Sequence, residues 1–263
     1  MNVIDSFRLN GKTAIVTGGA GRYGKQITLS LAEAGAIVFI ASRDLEKNEK
    51  AAAEFRAQGG DVRALQLDLG SEESCDALVA EVVRQTGRID VLVNNSVARV
   101  GGAGWHKPLA NYDESFHINA SGTFYLTAAA AEVMKKQRSG SVINVGSFMG
   151  LVGPEFANYA GTDMYNGDPS PTYFYEKGGL ANFTRWAASV LGEYNIRVNA
   201  IHPGGLMEPH LPEAFVRNYS ARTQLGRLAS QEDLKGIIVF LASDASSYLT
   251  GTNIPVDGGY TAK

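Results

Sequence analysis

A chain of 263 residues, 44% hydrophobic and 19% charged, is long enough to bury a large core and has the make-up of an ordinary soluble domain. Its formal net charge of −3 gives no positive field for a nucleic acid, and no apolar run approaches the length of a membrane span. The single cysteine, Cys75, excludes an internal disulfide, and the opening MNVIDSFRLNGK lacks the apolar centre of a signal peptide, so the expected location is cytoplasmic.

In chain order, the apolar run at 14–16 predicts a strand buried on both faces. Glycines follow at 18, 19, 21 and 24, and then a helix with Ile27, Leu31 and Ala34 on one side and Gly35 as its stop. Strand, glycine turn and helix form a dinucleotide cradle: glycines let the backbone approach a pyrophosphate, and the free N–H groups of the helix start attract its charge. A second strand at 37–41 runs into Ser42, Arg43 and Asp44, followed by a helix at 45–58 and a stop at Gly59-Gly60. A third strand at 62–67 ends at Asp68, and Ser71 caps a helix to about 85 with Glu72 and Glu73 at its positive end. A fourth strand at 89–93 meets Asn94-Asn95, a loop spans 101–108, and a long helix covers 112–137. A fifth strand at 142–145 stops at Gly146-Ser147, and 150–171 is irregular. A helix at 173–191 precedes a sixth strand at 197–201 and then His202-Pro203-Gly204-Gly205. Residues 206–226 are mixed, Ser230 caps a helix to about 243, and 253–256 is the last strand.

Such alternation predicts one α/β domain: a doubly wound, Rossmann-like, seven-stranded parallel sheet with helices on both faces. Ligands of such sheets bind at the carboxyl ends of the strands, where Gly18 to Gly24, Ser42-Arg43, Asp68, Asn94-Asn95, Ser147 and Pro203-Gly204 all fall. Tyr173 and Lys177 are four apart on a helix and leave the same face, and an ammonium beside a phenol favours the phenolate. Tyr159 lies nearer Ser147 in the chain, but its own i+4 neighbour is Asp163, which acts in the opposite direction. Tyr173 is therefore the expected acid/base, with Tyr159 lining the pocket. At the end of the second strand an acidic residue would bind a ribose 2′-OH; here Ser42 and Arg43 stand there, and a guanidinium suits a 2′-phosphate. With Arg22 as a second positive charge, NADP is favoured over NAD.

The motifs TGGAGRYG at 17–24, Asp68, NNS at 94–96, Asn119 in HINASG, Ser147 in INVGS, Tyr173-x-x-x-Lys177 and LTGTNIPVDGG at 249–259 together resemble the short-chain dehydrogenase/reductase superfamily, classical branch, over nearly the whole chain. The resemblance implies a catalytic set of Tyr173 as acid/base, Lys177 on the nicotinamide ribose, Ser147 on the substrate oxygen and Asn119 holding a proton-relaying water. It further implies cofactor contacts from Gly18, Gly21, Arg22, Tyr23, Gly24, Ser42, Arg43, Asp68, Leu69, Asn95, Ser96, Tyr173, Lys177, Pro203 and Gly204. The single domain would divide into a cofactor-binding half, about 1–150, and a substrate-binding half, and would assemble as a homotetramer or homodimer through the helices at 112–137 and 173–191 and the C-terminal strand and helix.

Several positions depart from the family pattern. Arg22 replaces the middle glycine, giving a spacing like that of the extended branch, which contains sugar-nucleotide epimerases. Val97 replaces a glycine, Glu208 stands near an expected threonine, and Ser147 and Tyr173 are unusually far apart, as if 150–171 were an insertion. That insertion carries Glu155, Asn158, Tyr159, Asp163, Tyr165, Asn166 and Asp168; with His202, Glu208 and His210 it suits a small hydroxylated substrate such as a sugar, sugar acid or polyol. His106 and His117 have no partner at metal-ligand spacing, so no metal is expected. The alternatives are a 3-oxoacyl thioester reductase, an epimerase-like enzyme and a dinucleotide sensor without turnover.

Overall fold

The computed structural model describes residues 2–102, 104–164 and 169–262. Strand β1 (Thr13–Thr17) is buried throughout and pairs in parallel with β2 (Ile37–Ser42) and β4 (Val91–Asn94). With β3 (Val62–Gln66), β5 (Gly140–Val145), β6 (Ile196–Pro203) and β7 (Asn253–Val256) the sheet has seven parallel strands in the order β3-β2-β1-β4-β5-β6-β7.

Residues alternate sides along a strand, so β1 feeds two cores. Ala14 and Val16 face Ile27 and Leu31 of α1 (Arg22–Glu33), Ala51 and Phe55 of α2 (Leu45–Ala57) and Ile238 of α8 (Lys235–Ala242). Ile15 faces Leu78 and Val82 of α3 (Glu72–Thr86), Leu126 and Met134 of α5 (Gly122–Gln137) and Ala187 and Leu191 of α6 (Pro171–Leu191). A sheet covered on both faces explains the unbroken apolar strands in the sequence. Burial of Asp90 is compensated by the Thr13 N–H at 2.8 Å and by two bonds from Arg88 at 2.6 and 2.7 Å, which pins the entry to β4 against β1.

The predicted cap holds, Ser71 accepting the Ser74 N–H, and Asp44 caps α2 in the same way by accepting the Lys47 N–H. Other boundaries differ from expectation. The long helix begins earlier as α4 (Leu109–Phe116) and reaches α5 through a π turn, His117–Ser121. Residues 206–226, left mixed by the sequence, contain α7 (Glu213–Ser220), seated by Phe215 and Tyr219 on Phe148 and Leu228. The expected helix from Ser230 begins only at Lys235: Asp233 turns back to accept the Ser230 N–H, so 230–234 is a turn.

Candidate active site

The order in which the strands are added reverses between β1 and β4, and a cleft of ≈ 1110 Å³ opens there at the carboxyl ends of the strands. The two strand ends are stitched together: Thr17 Oγ1 accepts the N–H groups of Asn95 and Ser96 at 2.9 Å, and the Asn95 side chain donates to the Thr17 and Gly18 carbonyls. Gly18 has φ +66°, a left-handed conformation that favours glycine. A Cβ on Gly24 would stand 2.1 Å from the Gly18 carbonyl oxygen, so α1 meets the loop too closely for any side chain. Gly21 caps α1 and Arg22 is its first helical residue, so loss of the family's middle glycine leaves the turn intact. This bare backbone at a helix N-terminus fits a dinucleotide pyrophosphate.

Gly18, Gly21, Arg22, Tyr23, Ser42, Arg43, Asp68, Leu69, Asn95, Ser96, Pro203 and Gly204 all line the cleft, whereas Gly24 lies beneath the loop. Several expectations need correction. The Arg22 guanidinium, expected to be free for a phosphate, pairs with Glu208 at 3.2 Å. Glu208 consequently braces the loop from across the cleft, and the Tyr23 hydroxyl of α1 reaches the opposite way to donate to the Gly204 carbonyl at 2.8 Å. The Ser42 hydroxyl is committed to Asn48. Arg43 is exposed on the cleft wall, and Lys47, one turn into α2, joins it there. Lys47 gives no signal in the sequence because the charge pattern that marks a 2′-phosphate site lies at the strand end. Asp68 accepts the Gly70 N–H at 2.9 Å while facing the cleft.

At the other end of the cleft, Ser147 leaves β5 and Tyr173 and Lys177 project from the first turns of α6, whose start is set by Pro171. Lys177 is buried, donates to the Val145 carbonyl at 2.7 Å, and holds its Nζ 5.8 Å from the centre of the Tyr173 ring. Burial lowers the Lys177 ammonium to about 8, the neighbouring Glu176 charge acting the other way. Tyr159 packs on Phe215 with ring centres 5.4 Å apart, and burial raises its pKa, with the Arg99 charge acting against that. Tyr159 lines the cleft, as expected of a pocket residue.

His202, assigned to the substrate pocket, is instead fully buried behind Ser147. Its Nδ1 meets the Ser147 carbonyl at 3.0 Å and its Nε2 meets Asn253 Oδ1 at 2.8 Å, so it braces the strand end. Asn119, expected to hold a water, commits its side chain elsewhere. Its Oδ1 accepts the Ala98 N–H at 2.7 Å, and its Nδ2 donates to the Ala98 carbonyl and to Glu176 Oε2. Of the insertion, Glu155 and Tyr159 line the cleft, Asn158 is buried against Tyr260, and Tyr165, Asn166 and Asp168 lie outside the described residues. The sequence reading also missed Arg99, exposed on the cleft wall beyond Ser96, and Glu176, hidden inside the Tyr-Lys motif itself. Among the described residues no group of acidic, histidine or cysteine side chains could hold a metal, and no helix is long and apolar enough to cross a membrane.

A family model described as enoyl-(acyl carrier protein) reductase matches residues 23–261. The chain belongs to the short-chain dehydrogenase/reductase superfamily. It is similar to a cyclopentanol dehydrogenase of Comamonas sp. (35% identity, covering 97% of this chain and 99% of that one). It is equally similar to a 3-oxoacyl-[acyl-carrier-protein] reductase of Thermotoga maritima (35% identity, 96% and 98%). A gluconate 5-dehydrogenase from Burkholderia cenocepacia, solved with NADP and tartrate, superposes with a TM-score of 0.86 at 28% identity, covering 100% of both chains. As a member of this superfamily the chain is an NAD(P)-dependent oxidoreductase acting on CH–OH groups.

Proposed function

We propose that this short-chain dehydrogenase/reductase interconverts a small polar secondary alcohol and its ketone, a sugar, sugar acid or polyol, with NADP preferred over NAD. The observation that carries the reading is a single cleft. Its one end is the glycine cradle with Arg43 and Lys47, and its other end holds Ser147 and the Tyr173-Lys177 pair. A nicotinamide dinucleotide bound there supplies or accepts the hydride. Arg43 and Lys47 receive the 2′-phosphate, and the backbone of Gly18 to Tyr23 receives the pyrophosphate. Ser147 donates a hydrogen bond to the substrate oxygen, and Tyr173 gives its hydroxyl proton to that oxygen in reduction and recovers it in oxidation. The Lys177 ammonium offsets the negative charge left on the Tyr173 oxygen.

The insertion supports the polar substrate: Glu155 and Tyr159 face the cleft beside Arg99 and His210. The gluconate 5-dehydrogenase neighbour, with tartrate bound, points to the same class. A second reading, 3-oxoacyl thioester reduction, is favoured by the Thermotoga maritima relative.

Titration with NADPH and NADH, followed by nicotinamide fluorescence, tests the cofactor assignment. NADPH binds more tightly, and Arg43→Ala weakens it about tenfold, equivalent to ~1.4 kcal/mol, while leaving NADH unchanged. A tighter fit to NADH would overturn the assignment. Reduction of ketone sugars against acetoacetyl thioesters separates the two substrate readings.

A further inference from the structure

The mechanism above leaves one buried carboxylate without a task. Glu176 directly precedes Lys177 on α6, is 9% exposed, and stands at the inner wall of the cleft. Its Oε1 accepts the Ser115 hydroxyl at 2.6 Å, and its Oε2 accepts Asn119 Nδ2 at 3.0 Å. Asn119 is in turn clamped to both backbone groups of Ala98. One carboxylate thus ties α6 to the last turn of α4, to the π turn and, through Asn119, to the loop leaving β4. Mid-helix π turns are strained local geometry and are kept where something holds them.

A carboxylate at this depth is costly unless its surroundings gain from its charge. Both bonds to Glu176 come from neutral donors that a glutamine could also satisfy, once the Ser115 hydroxyl rotates to accept. The hydrogen bonds alone therefore do not call for an anion. The nearest beneficiary is Lys177, whose buried Nζ is satisfied by a carbonyl and makes no ion pair among the described residues.

We propose that Glu176 is a positioning residue of the redox site: its carboxylate locks Asn119 and the π turn onto α6 and supplies the negative charge that keeps buried Lys177 an ammonium beneath Tyr173. The inference rests on the redox reading of Tyr173 and Lys177. Burial pulls the Lys177 pKa down, and Glu176 is the charge that opposes it. Burial raises the Glu176 pKa, with Ser115, Asn119 and the Lys177 charge acting against that. The other titratable groups around Lys177 offer no substitute. Asp113, Glu114 and His117 of α4 and the π turn are exposed. His202 of β6 is spent on Ser147 and Asn253, and the turn Phe148–Gly150 and β5 carry none. On α6 itself Tyr175 and Arg185 are exposed, and Tyr173 is the group beneath which the ammonium lies.

The test is a pH titration of the lysine side chains, labelled with 13C at Cε, by NMR in the wild type, Glu176→Gln and Glu176→Asp, with the Lys177 signal assigned from Lys177→Arg. In Glu176→Gln the Lys177 midpoint falls by about one pH unit, and the alkaline limb of ketone reduction moves down with it. Glu176→Asp retains the charge and a midpoint near the wild-type value, at a lower kcat because the shorter side chain no longer reaches Asn119. Glu176→Leu, neutral and of similar volume, gives the same reading should Glu176→Gln not fold. A Lys177 midpoint that does not move in the neutral variants overturns the proposal, whatever happens to kcat. The NMR midpoint is read without turnover, so failure of the redox reading would show separately, as a shifted midpoint in a protein that reduces nothing.

Discussion

Lys177 sets the pH behaviour at the scale of single residues. Its ammonium is buried and lowered from 10.5 to about 8. Reduction needs it charged beneath Tyr173, so kcat for a ketone falls as pH rises through about 8; a profile flat to the ordinary lysine range contradicts the assignment. The linked effect on stability has the opposite slope. Between about 8 and 10.5 the unfolded chain binds a proton that the native chain has lost, so the contribution of this group to stability rises with pH across that window. Cys75, buried on α3, has its thiol raised to about 11 by burial and by Asp76. It therefore stays protonated at pH 8 and should resist alkylation in the native state, reacting at the rate of a free thiol only after unfolding.

At the scale of elements, the junction of β1, the glycine loop and α1 determines whether a cofactor binds at all. Gly24→Ala would place its methyl 2.1 Å from the Gly18 carbonyl oxygen. The loop or the helix must then move, at a cost of about 1–3 kcal/mol as in other overpacked sites, and NADPH affinity should drop together with the thermal midpoint. Unchanged affinity would show that the close approach is not needed. This junction was legible in the sequence because its requirement is local: glycines at fixed spacing between an apolar strand and an amphipathic helix. The seven parallel strands and both helical layers were legible for the same reason. The π turn at His117–Ser121 was not, since HINAS carries no local signal, and its geometry is held by Glu176, 57 residues beyond Asn119. The true fate of His202 and Arg22 was equally hidden, because each is decided by a partner far away in the chain, Asn253 and Glu208. The turn at 230–234 was misread because a serine before a helix looks like a cap whether or not the helix begins there.

For the whole molecule, one patch of exposed apolar surface lies on α5 and α6. Phe124, Tyr175, Trp186 and Val190 are 43, 73, 61 and 40% exposed. Phe124, Phe183 and Trp186 form one ring ladder, with centres 4.4 and 5.9 Å apart. A patch of this kind marks an association surface. With no partner of other chemistry indicated, a second copy of the chain is the expected occupant. Light scattering should give an assembly larger than the monomer, and Trp186→Glu with Phe124→Glu should reduce its mass by half or more. An unchanged mass would move the interface elsewhere.

The central claim is that Tyr173 is the proton donor of a nicotinamide-dependent reduction, and Tyr173→Phe tests it most directly. The measurement is single-turnover oxidation of bound NADPH by a hydroxyketone, together with the NADPH dissociation constant of each protein. The variant should bind NADPH within a few-fold of wild type and lose about 10²–10⁴ in the rate of turnover. A variant that turns over as fast as wild type would contradict the assignment and return the role to Tyr159.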